Sequence, residues 1–238
     1  MIIIITPLVQ FDIIAWMLYQ HFIDKKQDAR VSKTYNSEDA LYILLGHQYL
    51  NSDVVIEFPY IIYQWEPWDS RVFGNNLLIV EKATQVWDYS SCNLIHYPKN
   101  IKVTYVPFYL WKVPWKLWDN YLTNSKPLGR MFFGKKKDIT DVIFIGSLTN
   151  KRLDLIRKIE KRGLSVIVYK NNCWGSEFRT AVLKAKVILN LHRMKSNILA
   201  LARIMPIIGL AGIIVSELGQ DLELNKYLSK IMILRAFK

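Results

Sequence analysis

The sequence predicts an α/β protein of two lobes, each built on a parallel sheet, and three observations carry that prediction. Short apolar, β-branched runs alternate with stretches of helical periodicity along most of the chain. The alternation lapses once, over 112–137, where Pro114, Pro127 and Gly129 break it, tryptophans crowd together and Lys135, Lys136 and Lys137 close the stretch. Charge changes sign across that break: residues 1–111 hold eight Lys/Arg against eleven Asp/Glu, a balance of −3, and residues 112–238 hold twenty-four against nine, a balance of +15. The expected organisation is a first lobe over 1–111, a connection over 112–137 and a second lobe over 138–238. The 238 residues, 51% of them apolar, suffice for a sizeable core and exclude a disordered tail.

In the first lobe, Ile2 to Ile5 is a β-branched run closed by Thr6-Pro7, and Phe11 to Phe22 follows with helical spacing. The polar stretch from Asp24 to Glu38 reads as a loop or short lid. Val54 to Ile56 and Tyr60 to Gln64 have the pattern of short buried strands. Asn75 to Thr84 reads as a helix, Gln85 to Trp87 as a strand with the polar ending Asp88-Tyr89-Ser90, and Lys102 to Val106 as a strand closed by Pro107.

The second lobe has the clearer rhythm. Asp141 to Ile145 is a strand ending in Gly146-Ser147. Lys151 to Arg162 is a helix with Leu153, Ile156 and Ile159 on one face and a stop at Gly163. Ser165 to Tyr169 is a strand, Ser176 to Ala185 a helix burying Phe178 and Val182, and Val187 to Leu191 a strand interrupted by Asn190. Asn197 to Ile208 is a helix leading through Gly209 and Gly212 to the strand Ile213 to Val215, which ends in Ser216-Glu217.

Several classes are disfavoured. Met1 to Pro7 lacks a basic leader, which argues against a signal peptide, and Arg203 and Pro206 inside the apolar stretch from Ile198 to Val215 argue against a membrane span. Cys92 and Cys173 stand apart with no Cys/His ligand spacing, so neither a disulfide framework nor a metal site is expected, and a reducing, cytoplasmic setting fits. The basic second half calls for an anionic partner: a nucleoside diphosphate, nucleic acid, or an anionic membrane met peripherally.

Ligands of open parallel sheets collect outside the carboxyl ends of the strands. Gly146-Ser147 precedes a helix whose first turn holds Lys151 and Arg152, so amides, a hydroxyl and two cations are offered to a diphosphate, unless this is an ordinary turn. Glu217 and Asp221 are candidates for ribose hydroxyls, or else helix caps. His192, following Asn190, is a candidate phosphate donor or acid/base, against the commoner role of a satisfied structural histidine. Arg203 either points at an anion or pairs with Glu217. In the first lobe Glu66 and Asp88 end strands and are candidate general bases, or structural carboxylates. Trp65, Trp68, Trp87 and Tyr89 offer sugar-stacking rings, although core packing is the more frequent fate of such residues.

The run Tyr60-Ile-Ile-Tyr-Gln-Trp-Glu66, then Val86-Trp-Asp-Tyr-Ser90 and Val103-Thr-Tyr-Val-Pro107, resembles the N-terminal half of GT-B glycosyltransferases of bacterial and viral type. The similarity continues through Phe144-Ile-Gly-Ser147, Lys151-Arg152, Leu189-Asn-Leu-His192, Arg203 and Val215-Ser-Glu217 with Asp221. The resemblance implies two Rossmann-like lobes, with the C-terminal lobe shortened relative to the family, which continues beyond the Ser-Glu motif. It implies transfer of a sugar from a nucleotide-sugar to a glycan or other hydroxyl acceptor, without a metal or other cofactor. Donor residues would be Gly146, Ser147, Lys151, Arg152, Asn190, His192, Arg203, Ser216, Glu217 and Asp221; Trp65, Tyr89 and Ser90 would lie on the acceptor side. The rival expectations are a non-catalytic relative that binds a nucleotide or a partner protein, and a basic nucleic-acid-binding protein, for which no motif speaks.

Overall fold

The structure is a computed structural model and describes residues 1–50, 54–107, 139–169, 173–210, 212–230 and 232–235. The connection expected over 112–137 lies outside the described residues. The chain divides into two compact units, the first carrying one sheet and the second another.

The first sheet has six strands: β1 (Ile2–Ile5), β2 (Ala29–Ser32), β3 (Leu41–Leu45), β4 (Tyr60–Gln64), β5 (Gln85–Asp88) and β6 (Val103–Tyr105). They lie side by side in the order β2-β1-β3-β4-β5-β6, every neighbouring pair parallel. Parallel strands need crossovers, and α1 (Asp12–Asp24) and α2 (Leu77–Lys82) supply two of them. Side chains alternate along a strand. Ile3 and Ile5 therefore share a face with Tyr42, Leu44, Tyr60 and Ile62 and pack with Ile79 and Val80 of α2. Ile4 points the other way and is equally buried, and α1, which packs on β1 and β2, buries Ile13, Ile14, Met17 and Leu18. With both faces covered, the central strands read as continuous apolar runs.

The second sheet repeats the plan. Its strands are β7 (Thr140–Ile145), β8 (Val166–Tyr169), β9 (Ala185–Asn190), β10 (Ile214–Glu217) and β11 (Ile233–Arg235), in the order β11-β10-β9-β7-β8, again all parallel. Its helices are α3 (Asn150–Glu160), α4 (Gly175–Leu183), α5 (Leu201–Gly209) and α6 (Leu222–Leu228). One face buries Val142, Phe144, Leu189 and Leu191 against Ile156, Leu155 and Ile159 of α3. Counted from its own first strand, the order is 2-1-3-4-5, the order of the first five strands of the other sheet. In each unit the winding reverses once, between β1 and β3 and between β7 and β9, and such a reversal opens a crevice at the carboxyl ends of the strands.

Three expectations need correction, and one strand was not foreseen. The stretch from Asp24 to Glu38 is not all loop: it contains β2, whose Arg30 is exposed, an edge strand with polar alternation and therefore no apolar run. Leu41 to Leu45, a plain apolar run closed by Gly46, is a central strand the sequence reading passed over. Val54 to Ile56 is not a strand; Val55 is 72% exposed and Ile56 merely packs against the core, so β-branching here has no neighbouring strand to act on. The helix expected from Asn197 starts at Leu201, because Asn197 takes a left-handed φ of 46° that no helix continues. Pro206 sits inside this nine-residue helix, and no helix among the described residues is long and apolar enough to cross a membrane.

Candidate functional site

The chemistry concentrates at the carboxyl end of the second sheet. After β7 the chain turns at Gly146, whose φ of 146° belongs to a region that residues with a Cβ avoid. Thr149 then caps α3, its hydroxyl accepting from the Arg152 amide at 3.4 Å. From the first turn of α3 the Arg152 side chain reaches back, 2% exposed. Its Nη1 donates to the Ser147 carbonyl at 2.7 Å, its Nη2 donates to the Leu191 carbonyl, and its guanidinium carbon lies 5.3 Å from the Phe144 ring centre. Ser147 follows β7 and Leu191 follows β9, so Arg152 straps together the two loops on either side of the winding reversal. It was expected to be a free cation for diphosphate; its Nη groups are instead engaged by two carbonyls.

Around this strap stand two further guanidiniums. Arg193 Nη1 donates to Ser147 Oγ at 3.4 Å, and Arg203 Nη1 donates to Asn190 Oδ1 at 3.3 Å while its Nη2 would lie 3.5 Å from a Cβ at Gly146. Burial, and then repulsion from Arg203 and Arg193, pushes Arg152 down to about 10, with Glu217 acting in the opposite sense. Arg193 was missed as a site residue: its neighbour His192 drew the reading, and a charged residue after a strand gives no periodic signal.

Glu217 closes β10 and is 7% exposed. Its Oε2 accepts from the His192 amide and its Oε1 forms an ion pair with Lys151 Nζ at 2.7 Å. The Lys151 side chain is 64% exposed, so that partner can swing away while the bond to His192 holds the carboxylate in position. Lys151 pairs with Glu217, and Arg203 donates to Asn190. A cavity of about 270 Å³ is lined by Lys151, Arg152, Asp154, Leu155, Lys158, Leu191 and Glu217.

Other expected donor residues are structural. His192 is held by the backbone: its Nε2 lies 3.0 Å from the Leu218 carbonyl, which selects the Nε2–H tautomer, and burial lowers its pKa, favouring the neutral ring. Asn190 Nδ2 donates to Ser216 Oγ at 2.8 Å, and Ser216 Oγ donates to the Glu217 carbonyl at 2.9 Å, so both lock β9 to β10. Asp221, 1% exposed, caps α6 by accepting from the Leu224 amide at 3.0 Å, the helix-cap role weighed from sequence.

In the first unit, Asp88 is corrected from base to scaffold. It is fully buried and accepts from the Ser90 amide at 2.9 Å, from Asn93 Nδ2 at 2.9 and 3.1 Å, and from the Tyr97 hydroxyl at 2.7 Å. A carboxylate so surrounded by donors has no lone pair to offer a substrate. Glu66 is half-buried and accepts from the Tyr49 hydroxyl at 3.2 Å; burial, then the charge of Glu66, pushes that phenol up to about 12. Trp65 and Tyr89 stack on one another with centres 5.3 Å apart and, like Ser90, are buried, so these three are core and not an acceptor surface. Trp68 stacks on His96 at 3.9 Å. Cys92 and Cys173 form no disulfide, and the buried Cys173 thiol is pushed up to about 11.

Fold and site together define a Rossmann-like α/β protein whose second sheet gathers Arg152, Arg193 and Arg203 at its carboxyl end. No family model matches the chain, and no curated protein matches it. Among solved structures, an NAD-complexed D-isomer specific 2-hydroxyacid dehydrogenase from Lactobacillus delbrueckii ssp. bulgaricus is similar at a TM-score of 0.24 and 10% identity, over 98% of this chain and 77% of that one.

Proposed function

We propose that the chain is a glycosyltransferase whose second unit binds the nucleoside diphosphate part of a nucleotide-sugar. One observation carries the reading: Arg193 and Arg203 flank the Gly146 turn at the switch point of a doubly wound sheet, and a fixed carboxylate, Glu217, at the end of β10 lines a cavity together with Lys151, Arg152, Leu155 and Leu191.

Each part has a chemical role. The Gly146 turn lets the backbone approach the diphosphate, whose charge Arg193, Arg203 and Lys151 offset. Lys151, drawn to the phosphates, would release Glu217 Oε1 to accept from ribose hydroxyls, while Leu155 and Leu191 floor the space for the base. In transfer, the bond from the sugar C1 to the diphosphate oxygen breaks with its electron pair leaving on that oxygen. The acceptor hydroxyl oxygen bonds to C1 and its proton passes to a base. The arginines stabilise the charge that develops on the leaving diphosphate, a contribution that in many enzymes is the largest.

The test is a thermal-shift series of the full chain with UDP-, GDP-, dTDP- and CMP-sugars, repeated for Arg203→Met and Glu217→Gln, followed by an assay of sugar release from whichever donor binds. Stabilisation by one nucleotide class, lost in Arg203→Met, supports the donor site. Binding without release of sugar would reduce the reading to a nucleotide-binding protein, and absence of any shift would remove it.

A further inference from the structure

The two sheets share a strand order but differ at their amino ends, opposite the strand ends discussed above. In the second sheet a large aliphatic side chain stands exposed one or two residues before β7, β8, β9 and β10 in turn: Ile139, Leu164, Leu183 and Ile213, each between 43% and 57% exposed. At the same positions of the first sheet only Met1 is large, apolar and exposed; Ala40 is buried, Phe58 and Ile101 pack on the core, and Asp28, Thr84 and Lys102 are polar. One strand plan therefore seals its amino end in one unit and leaves it apolar in the other.

The four side chains belong to adjacent chain segments. The Thr140 amide donates to the Lys184 carbonyl at 2.9 Å and the Val142 amide to the Ser165 carbonyl at 3.0 Å, which sets the residues before β8 and β9 on either side of Ile139. The Ile188 amide donates to the Ile213 carbonyl at 2.8 Å and extends the row to β10. Ile213 also lines a cavity of about 530 Å³ together with Ile208, Met232, Ile233 and Lys230.

Cations stand among these aliphatics. Lys161 and Arg162 precede Leu164, and Lys184 and Lys186 follow Leu183, all four exposed. The carboxylates within the same segments are Glu160 and Asp141, and Asp141 is met by Lys186 at 2.6 Å. An exposed apolar patch marks an interaction surface, and its composition names the partner. Cores of protein interfaces are depleted in lysine and rich in aromatic rings, whereas three of these four cations are lysines and none of the four apolar side chains is aromatic. Single-stranded nucleic acid is held by stacking on aromatic rings, which this surface lacks. Lysines interspersed with aliphatics fit an anionic bilayer, where the ammonium groups meet lipid phosphates and the aliphatics enter the acyl boundary.

We propose that the amino end of the second sheet is a docking surface for an anionic phospholipid membrane, with Lys161, Arg162, Lys184 and Lys186 on the headgroups and Ile139, Leu164, Leu183 and Ile213 inserted between them. The six residues of β7 separate this surface from the Gly146 turn by about 20 Å, so the carboxyl end of the sheet stays in water while the protein is docked. The proposal stands whether or not that end holds a nucleotide-sugar.

The experiment is co-sedimentation of the full chain with vesicles of phosphatidylcholine alone and of phosphatidylcholine with about one-third phosphatidylglycerol. The protein should sediment with the anionic vesicles only, and added salt should weaken the binding. Lys161→Gln and Lys184→Gln should each lower partitioning about fivefold, and Leu164→Gln combined with Ile213→Gln should lower it as well, all without loss of melting temperature because the side chains are exposed. Lys25→Gln, an exposed cation just after α1 in the first unit, should leave it unchanged. Equal sedimentation with both vesicle types, or none with either, overturns the proposal. So does a fall for Lys25→Gln as large as for Lys184→Gln, or full binding by the Leu164→Gln, Ile213→Gln protein. Nucleotide-sugar shifts should be the same in all these variants, so a failure of the donor reading is seen separately.

Discussion

The two units wind their strands in the same order and reverse at the same step, yet the two reversals are chemically opposite. At the first, a carboxylate occupies the start of the following helix and the nearby side chains are neutral His47 and Gln48. At the second, the helix starts with Lys151 and Arg152, and Arg193 and Arg203 stand beside them. Topology decides where a ligand can sit and side-chain charge decides what it can be, and here one backbone plan carries neutral side chains at one reversal and a cluster of cations at the other.

The sharpest way to break that contrast is Arg152→Met, which leaves the Ser147 and Leu191 carbonyls without their donor. We expect a loss of about 3 kcal/mol in urea denaturation, and donor binding should fall with it. A loss below about 1 kcal/mol would mean that the strap is dispensable. Acid separates the units next. His47 is pushed down to about 4 by burial, from 6.5 in the unfolded chain. Both states hold it neutral above about pH 7. As pH falls from 6.5 towards 4 the unfolded chain binds a proton that the folded chain refuses, and stability drops by up to about 3 kcal/mol. His192, also lowered, adds in the same sense. His47→Leu should flatten most of this slope, and an unchanged pH profile would sink the account. Asp88→Asn puts a donor against Asn93 and Tyr97 and should cost about 2 kcal/mol in the same denaturation assay, with donor affinity untouched; weakened donor binding would return Asp88 to the site. The smallest effect is expected for Lys151→Ala. Its exposed ion pair contributes at most about 1 kcal/mol, so stability should hardly change. Tighter binding of the free nucleoside than of its diphosphate in this variant would mark Lys151 as the group that covers Glu217.

Much of this architecture is legible in the residues, and the limits are physical. The central strands β1, β4, β7 and β9 announce themselves because both faces of a parallel sheet are covered and each carries a short run of apolar side chains, although the same pattern in β3 was passed over. The edge strand β2 does not, since one covered side and a charged Arg30 leave no run to detect. Strand-end position drew attention to Gly146 and Glu217, and a cation inside an apolar helix drew it to Arg203. What type cannot reveal is who holds whom: Arg152 and Asp88 look like reagents in sequence and become fasteners once burial and donor counts are known. His47 is another such case, an ordinary histidine in sequence whose burial appears only in three dimensions.

The strap across the second reversal also bears on how binding would respond to temperature. Because Arg152 ties the ends of β7 and β9 to one guanidinium, the loops that follow them lose a common set of motions before any ligand arrives. A ligand entering there orders little that is still free, so its affinity is governed by contacts and desolvation more than by lost chain entropy. Two loops tied at one point should also respond as one: a change that loosens the turn after β7 reaches the turn after β9 without any ligand to carry it.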